Sequence, residues 1–315
     1  MSALANPAAA SRSGAWASPA DSIVDITDLK KSFGQMDALQ GLTLSLPRGS
    51  IIGLVGRNGA GKTTLMRHIS GLMLPTSGRV VTLGRSAADL GASELSRIGA
   101  LDQNPKLLGW LTVRQHLAYI SNYYRAWDHD FERRLLTQFE LSDQVRVESL
   151  SGGDRQKLAL ILTLCHRPEL LLLDEPMTGL DPVVRERVLE CLLELARENA
   201  STVVISTHVL HDIEKIVDWI VCLDRGRLVI DGAADEIQER FSEWIFPAPP
   251  SQKPKDVRRY YEPFIASQRL IGGQMHMVVR DGEKELEAFQ RKYALEIMTR
   301  PLSLEKVLLH LLGDE

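Results

Sequence analysis

Residues Gly56–Thr64 read Gly-Arg-Asn-Gly-Ala-Gly-Lys-Thr-Thr, the phosphate-binding loop pattern of a glycine, any four residues, Gly-Lys and then Ser or Thr. The apolar run 51–55 before the loop predicts a buried strand, and apolar side chains at helical spacing after it predict a helix that begins at about Gly61. Glycines let backbone N–H groups turn inward toward a phosphate, and the helix N-terminus adds positive potential. The loop and its flanks therefore predict an α/β fold built around a nucleotide.

Two side chains of this loop have predicted roles in binding phosphate and metal. Lys62 should reach the β- and γ-phosphates of the nucleotide, and the Thr63 hydroxyl should complete the coordination of Mg²⁺. The alternative is a glycine-rich turn that binds nothing, and the strand and helix predicted on its two sides argue against it. The predicted phosphate contacts are Gly56, Asn58, Gly59, Ala60, Gly61, Lys62, Thr63 and Thr64.

Composition and charge argue against some classes of protein. The 315-residue chain carries a net charge of −4, which argues against a broad surface for nucleic acid, so no nucleic-acid partner is predicted. It has no run of about 18 uncharged apolar residues, so it is not predicted to span a membrane itself. The three cysteines lack metal-ligand spacing and are predicted to be reduced, buried side chains. Residues 1–21, rich in Ala, Ser and Pro, are predicted to form a disordered tail.

A second glycine-rich element predicts a second phosphate contact. Ser151-Gly152-Gly153 opens a predicted helix, and a helix N-terminus of this kind can bind an anion. The element follows an amphipathic segment, at about residues 106–150, that predicts a helical insert between two parts of the sheet. The chain therefore holds two phosphate-type elements, which a single loop site does not explain.

Acidic residues follow a buried strand predicted at residues 170–173. Ligands of open α/β sheets bind at the carboxyl ends of strands, so Asp174 is placed to hold Mg²⁺ and Glu175 to orient or deprotonate an attacking water. A solvated turn is the alternative for both residues. Asp181 starts the next helix, where it either caps the helix N-terminus or has a functional role. His208 stands just past the next predicted strand, beside the same nucleotide site.

These motifs, in this order, resemble the ATP-binding subunit of an ABC transporter over about residues 22–240. The resemblance implies a P-loop NTPase cassette with a mixed-sheet core, an antiparallel β subdomain and a helical subdomain. It also implies an ATPase that uses ATP and Mg²⁺, with Lys62, Glu175 and His208 as the catalytic residues. The resemblance further implies that Phe33 stacks on adenine and that Gln103 is the Q-loop glutamine, which contacts the metal. Ser151, Gly152 and Gly153 would belong to the family signature. Asp174 would close the Walker B motif, and Asp181 would be the D-loop acid.

Two residues depart from the usual pattern of the family. Asp154 stands where the signature often has Gln, and Met177 replaces a common Thr after Pro176. Neither substitution is expected to bear on a side chain that contacts phosphate, so hydrolysis is still expected.

The resemblance implies two protein partners. Two ATPase subunits, identical or homologous, are expected to pair head to tail, with each ATP between the loop of one chain and Ser151–Gly153 of the other. This arrangement would explain the two phosphate elements. A separate membrane-spanning permease is expected to dock on the helical insert, with Gln103 relaying the nucleotide state to it. The chain would then be cytoplasmic and peripheral on the inner face of the cell membrane.

The C-terminal part of the chain predicts a second, smaller domain. Residues 241–258 are predicted to be a proline-rich linker, and residues 259–315 an accessory α+β domain of ββαβα order. The segment Leu302–Val307 resembles the C-terminal extension of ATPases from bacterial multidrug, antibiotic and peptide exporters. Export is therefore expected. The alternatives are an importer ATPase, a soluble ATPase of the same superfamily, or another P-loop enzyme such as a GTPase, although no Asn-Lys-x-Asp guanine motif is present.

Overall fold

The computed structural model describes residues 21–208, 211, 213–248, 260 and 262–312. The chain divides into two compact units, with the boundary between Asp231 and Gly232. None of the helices built from the described residues combines the length and the apolar character needed to cross a membrane. The predicted tail at residues 1–21 lies almost wholly outside the described residues.

The larger sheet of the first unit positions the functional residues. Its strands are β3 (Ile51–Val55), β6 (Ile98–Leu101), β7 (Leu170–Asp174), β8 (Thr202–Thr207), β9 (Trp219–Asp224) and β10 (Arg227–Ala233), in the order β10-β9-β3-β8-β7-β6. The strands from β9 to β6 in this order pair in parallel. β3, β7 and β8 are buried along their whole length, which is why their sequences are almost continuously apolar. Their carboxyl ends meet at one edge of the sheet.

A second, antiparallel sheet of the first unit packs its leucines into a shared core. It consists of β1 (Ser22–Phe33), β2 (Met36–Pro47), β4 (Ser77–Thr82) and β5 (Arg85–Ser86), in the order β2-β1-β4-β5. Leu42, Leu44 and Leu46 of β2 are buried, and the residues between them are more exposed. This alternation places one face of the sheet against the hydrophobic core.

The helices of the first unit lie between these strands in the chain. They are α1 (Lys62–Ile69), α2 (Ala92–Leu95), α3 (Val113–Ser121), α4 (His129–Gln138), α5 (Gly152–Leu164) and α6 (Pro182–Asn199), with short 3₁₀ helices at Ala87–Asp89 and Val147–Ser149. The predicted helical insert contains α3 and α4. Thr112 and Asp128 cap their N-termini, and Phe131, Leu135 and Phe139 are buried. The cysteines Cys165, Cys191 and Cys222 are free and buried, and burial raises the pKa of each thiol.

The second unit is an antiparallel sheet with helices. Its strands are β11 (Phe241–Pro247), β12 (Ile265–Ile271), β13 (Gln274–Arg280) and β14 (Met298–Pro301), in the order β12-β13-β11-β14. Its helices are α7 (Ala234–Glu239), α8 (Leu286–Tyr293) and α9 (Leu304–Leu312), with a 3₁₀ turn at Glu283–Glu285. From β12 onward the elements follow the ββαβα order that the sequence predicts. Trp244, Phe246, Tyr260 and Phe289 form an aromatic core in this unit.

The first part of the predicted linker at residues 241–258 is instead a strand. β11 pairs with β13 on one side and with β14 on the other, which makes it a central strand of the second unit. The physical reason is the alternation of Trp244 and Phe246, which bury their rings against Phe289. The prolines at Pro249 and Pro250, which favoured the linker, lie outside the described residues.

Candidate active site

The phosphate-loop sequence forms a tight turn between β3 and α1. Gly56 has no room for a side chain, because a Cβ there would lie 2.3 Å from the Leu223 carbonyl oxygen. The loop closes through a hydrogen bond from the Ala60 N–H to the Arg57 carbonyl at 3.0 Å. Gly59 faces open space, and Gly61 has a positive φ of 105° at the N-cap of α1. Gly56 therefore allows close packing, Gly61 allows the left-handed turn at the start of α1, and Gly59 leaves one side of the loop open.

Lys62, the first residue of α1, is a buried cation. Its side-chain Nζ donates to the carbonyl oxygens of Gly56 at 2.6 Å and Arg57 at 3.3 Å. Burial lowers the pKa of the ammonium, and the nearby carboxylates of Glu175 and Asp174 oppose this change. Asp174 was predicted to hold Mg²⁺ and Glu175 to orient or deprotonate an attacking water, so the charges that the sequence singles out lie near one another.

Asp174, at the end of β7, is held by two hydroxyl groups. Thr63 Oγ1 donates to Asp174 Oδ2 at 2.5 Å, and the Ser206 hydroxyl donates to Asp174 Oδ1. Ser206 lies opposite Asp174 in the parallel pairing of β7 and β8. Ser206 is not among the site residues predicted from the sequence. Its only signal was a small polar residue at the end of an apolar strand, beside the strand that carries the acids.

Glu175 lies just past β7 in a left-handed backbone conformation. Its φ is 51°, which is uncommon for a residue other than glycine and turns the chain sharply after the strand. The Glu175 N–H donates to Ser206 Oγ at 3.1 Å, and its side-chain Oε1 lies 2.9 Å from His208 Nδ1. The Glu175 side chain is buried, whereas that of His208 is 54% exposed. A buried carboxylate that contacts a partly exposed histidine is suited to hold and align a water molecule.

Ser151–Gly153 lie outside this hydrogen-bonded group. Ser151 caps α5, and both Ser151 and Gly152 are exposed. A Cβ on Gly153 would meet the Gly179 carbonyl oxygen at 2.8 Å, whereas one on Gly152 would meet nothing within 4 Å. Asp154 accepts a hydrogen bond from Ser151, a predicted ligand contact, so this departure from the family pattern touches the predicted signature.

Three other predicted residues stand at exposed positions. Asp181 caps α6 by accepting from the Val184 N–H at 3.0 Å, and this hydrogen bond lowers the pKa of its carboxyl group. Phe33, at the end of β1, is 45% exposed, and Lys31 Nζ lies over its ring, 5.2 Å from the ring centroid. Gln103 is exposed two residues after β6 and, among the described residues, makes no side-chain hydrogen bond.

Comparison with known proteins identifies the family. A family model described as "ABC transporter" matches residues 39–178. The Nod factor export ATP-binding protein I of Rhizobium johnstonii is 30% identical over 300 residues, which cover 93% of this chain and 95% of that protein. This chain belongs to the ABC transporter family. The daunorubicin resistance ATP-binding protein DrrA3 of Streptomyces coeruleorubidus is 36% identical over 224 residues, 70% of this chain and 71% of that protein.

Solved structures of ABC proteins share the fold. An ATP-binding subunit of an ABC transporter is 30% identical, with a TM-score of 0.64, and the match covers 69% of this chain and 92% of that one. A dimeric ATP-binding cassette in a post-hydrolysis state with ADP and Pi is 27% identical, with a TM-score of 0.59, and the match covers 67% of this chain and 98% of that one. The predicted fold class is confirmed, and this ABC protein is an ATPase that binds ATP.

Proposed function

We propose that this chain is the ATP-hydrolysing subunit of an exporter, that it dimerises head to tail around two MgATP, and that it drives a separate membrane-spanning permease. It would act from the cytoplasmic face of the cell membrane, held there by the permease. The names of the relatives support export, because one is a Nod factor export protein and another a daunorubicin resistance protein. The observation that carries the proposal is the group Thr63, Asp174, Ser206, Glu175 and His208 at one sheet edge.

The residues at this edge fit MgATP by their chemistry. The Thr63 hydroxyl and the Asp174 carboxylate supply the oxygen ligands that Mg²⁺ prefers, and their oxygens already lie 2.5 Å apart. Gln103 adds an amide oxygen as a third proposed ligand. Lys62 would exchange its carbonyl acceptors for the β- and γ-phosphates, whose negative charge is a stronger partner. When bound, Mg²⁺ neutralises charge on the phosphates.

Glu175 is the proposed base of the reaction. Its carboxylate would accept a proton from the attacking water, and the residue turns the chain in a left-handed conformation just past the end of β7. His208 would hold that carboxylate in place through the contact between Nδ1 and Oε1. Ser206 would fix both acids, because it donates to Asp174 and accepts from the Glu175 backbone. Phe33 would stack on adenine, and Asp181 would act near the second nucleotide.

The exposed position of Ser151 and Gly152 supports a composite site between two chains. A helix N-terminus with free surface can receive the γ-phosphate of a nucleotide held by another molecule. ATP would then join the two chains, and hydrolysis would remove that bridge. The dimeric cassette among the related structures is a precedent for such a pair. The second unit is proposed as an accessory domain for regulation or assembly.

The substitution Glu175→Gln tests the base and the dimer together. It keeps the size of the side chain but removes the base, so hydrolysis should fall by about 10²–10⁴-fold while ATP binding survives. The bound ATP should then hold two chains together, and the protein should elute as a dimer in MgATP by size-exclusion chromatography. Hydrolysis at the unmodified rate would remove Glu175 from the proposed mechanism.

The matched control adds Ser151→Arg to Glu175→Gln. A bulky cation at Ser151 would occupy the face that should receive the partner's ATP, so this double variant should remain monomeric in MgATP. ATP binding by the monomer should be unchanged, since Ser151 lies outside the loop of its own chain. A dimer that persists in the double variant would contradict the proposed head-to-tail arrangement.

A further inference from the structure

Asp154 occupies the position at which this chain departs from the usual signature residue, glutamine. The Ser151 hydroxyl accepts a hydrogen bond from the Asp154 N–H at 3.1 Å and donates its proton to Asp154 Oδ2 at 2.7 Å. A hydroxyl has one proton to donate. Ser151 therefore cannot donate to Asp154 and to a phosphate oxygen at the same time. In the structure, the anionic acceptor of this hydroxyl is the Asp154 carboxylate.

Lys157 is the charge partner of Asp154. Its Nζ lies 3.1 Å from Asp154 Oδ1, and the Lys157 side chain is only 14% exposed. Desolvation opposes ionisation of Asp154, but the hydrogen bonds from Ser151 and Lys157 outweigh it and lower its pKa. Asp154 is therefore an anion at neutral pH. It is the third residue of α5, where the positive end of the helix dipole also favours a negative charge.

We propose that Asp154 is an internal anion that competes with the γ-phosphate of the partner-bound ATP for the Ser151 hydroxyl and for the N-terminus of α5. Lys157 limits this competition by neutralising part of the charge. The inference rests on the proposed ATP-dependent dimer. Asp154 acts through Ser151 and does not touch the reacting atoms, so it is a positioning residue. Its consequence is an ATP-bound dimer that is weaker, and reopens more readily, than one with a neutral residue at this position.

The sequence of events on ATP arrival follows from the hydrogen bonds. The Ser151 proton turns from the Asp154 carboxylate to a phosphate oxygen, and Asp154 keeps its contact with Lys157. Two anions then lie on either side of the Ser151 hydroxyl, and their repulsion opposes closure of the dimer. Since a head-to-tail dimer has two such ATP sites within its interface, the effect counts twice.

Dimerisation of the full-length Glu175→Gln protein in MgATP, measured by analytical ultracentrifugation, tests this proposal. Asp154→Asn keeps the size and an oxygen acceptor for Ser151 but removes the charge. The concentration of half-dimerisation should fall by about threefold to tenfold at low salt and by less at high salt, because the repulsion is screened. Asp154→Gln should act in the same direction. Lys157→Gln should raise that concentration by a similar factor, because it leaves the Asp154 carboxylate unpaired.

A double variant and a binding measurement separate this role from a purely structural one. Asp154→Asn with Lys157→Gln should dimerise like Asp154→Asn alone, since Lys157 acts through the carboxylate. ATP affinity of the monomer should be the same in all variants, because the loop of the same chain binds that nucleotide. Dimerisation that is unchanged or weaker in both Asp154→Asn and Asp154→Gln overturns this inference alone. Failure of the Glu175→Gln protein itself to dimerise would overturn the proposed function and this inference with it.

Discussion

Lys62 holds a positive charge in a buried place where its hydrogen-bond acceptors are neutral. Its Nζ donates to the carbonyl oxygens of Gly56 and Arg57, and burial lowers its pKa. Two carbonyl oxygens compensate a desolvated ammonium only in part, whereas a phosphate chain supplies full negative charge. The Lys62 ammonium should therefore be stabilised most when ATP binds in the loop.

Lys62→Ala should weaken ATP binding by about tenfold to a hundredfold. The change removes charge-assisted hydrogen bonds worth about 1.5–3 kcal/mol. Isothermal titration calorimetry with MgATP measures the loss directly. The matched control is Lys106→Ala, an exposed lysine outside the loop, which should bind ATP with unchanged affinity. Equal affinities for the two variants would show that Lys62 does not face the phosphates.

The burial of His166 predicts that the folded protein loses stability in mild acid. Burial lowers the pKa of its ring from 6.5 to about 4, while its Nε2 lies 3.3 Å from the Ile98 carbonyl and its ring stacks on Tyr124. The folded protein therefore binds fewer protons than the unfolded chain between these two pKa values. The free energy of unfolding is fully retained above the higher pKa and falls as the pH is lowered toward the lower one.

The size of this effect is measurable by urea unfolding at two pH values. Between about pH 7.5 and about pH 5, His166 should account for about 2 kcal/mol of lost stability. Over the same pH interval, the free energy of unfolding of His166→Gln should fall by about 2 kcal/mol less than that of the unmodified protein. His68 and His116, which are also buried with lowered pKa, remain in both proteins and cancel in the comparison. Equal losses in the two proteins would mean that His166 does not titrate as its burial requires.

At the scale of the element, the N-terminus of α5 places two adjacent glycines in different surroundings. A Cβ on Gly153 would lie 2.8 Å from the backbone oxygen of Gly179, which is in the turn that precedes α6. A Cβ on Gly152 would meet nothing within 4 Å. The absence of a side chain at Gly153 therefore allows close packing within the chain. The absence of one at Gly152 leaves the exposed N-terminus of α5 uncovered.

Gly153→Ala and Gly152→Ala should have opposite consequences. Gly153→Ala should lower stability by about 1–3 kcal/mol, because a backbone carbonyl must move to admit the methyl group. Gly152→Ala should leave the melting temperature unchanged or slightly raised, since alanine suits a helix better. In the Glu175→Gln background it should nevertheless weaken the MgATP-dependent dimer. Thermal melting and ultracentrifugation distinguish the two outcomes, and a strongly destabilised Gly152→Ala protein would contradict this assignment.

At the scale of the whole molecule, the boundary between the two units determines where the chain can be divided. A chain that ends at Ala233 keeps β10 complete and should bind ATP as a folded protein. A chain that ends at Pro250 keeps β11 but lacks β13 and β14, the strands on its two sides. Trp244 and Phe246 would then lose the core that buries them, so the longer chain should be less soluble than the shorter one.

Expression of both truncated chains with the same tag tests this prediction. The soluble fraction and the affinity for MgATP are the quantities to compare. Higher solubility of the chain that ends at Pro250 would show that β11 is stable without its neighbours, and it would favour a boundary after β11 over the observed one.

The sequence alone determined the cassette, because its decisive contacts are local. Gly56–Thr64 lie consecutively in the chain, and apolar periodicity on both sides specifies the strand and helix that hold the loop. The same holds for Asp174 and Glu175, since acids that follow a buried strand emerge at the edge where ligands bind. The sequence of β11 also carries an alternation of buried side chains, but the prolines that follow it favour a linker.

The tertiary structure decided the contacts that join residues far apart in the chain. Ser206 reaches Asp174 only because β7 and β8 pair in a particular register, and no local pattern specifies that register. Sequence spacing also could not show that the unusual Asp154 accepts the hydrogen bond of the Ser151 hydroxyl, since this depends on side-chain direction at the start of a helix. Motifs are read from neighbouring residues, whereas hydrogen-bond partners and buried charges are set by how the strands and helices pack.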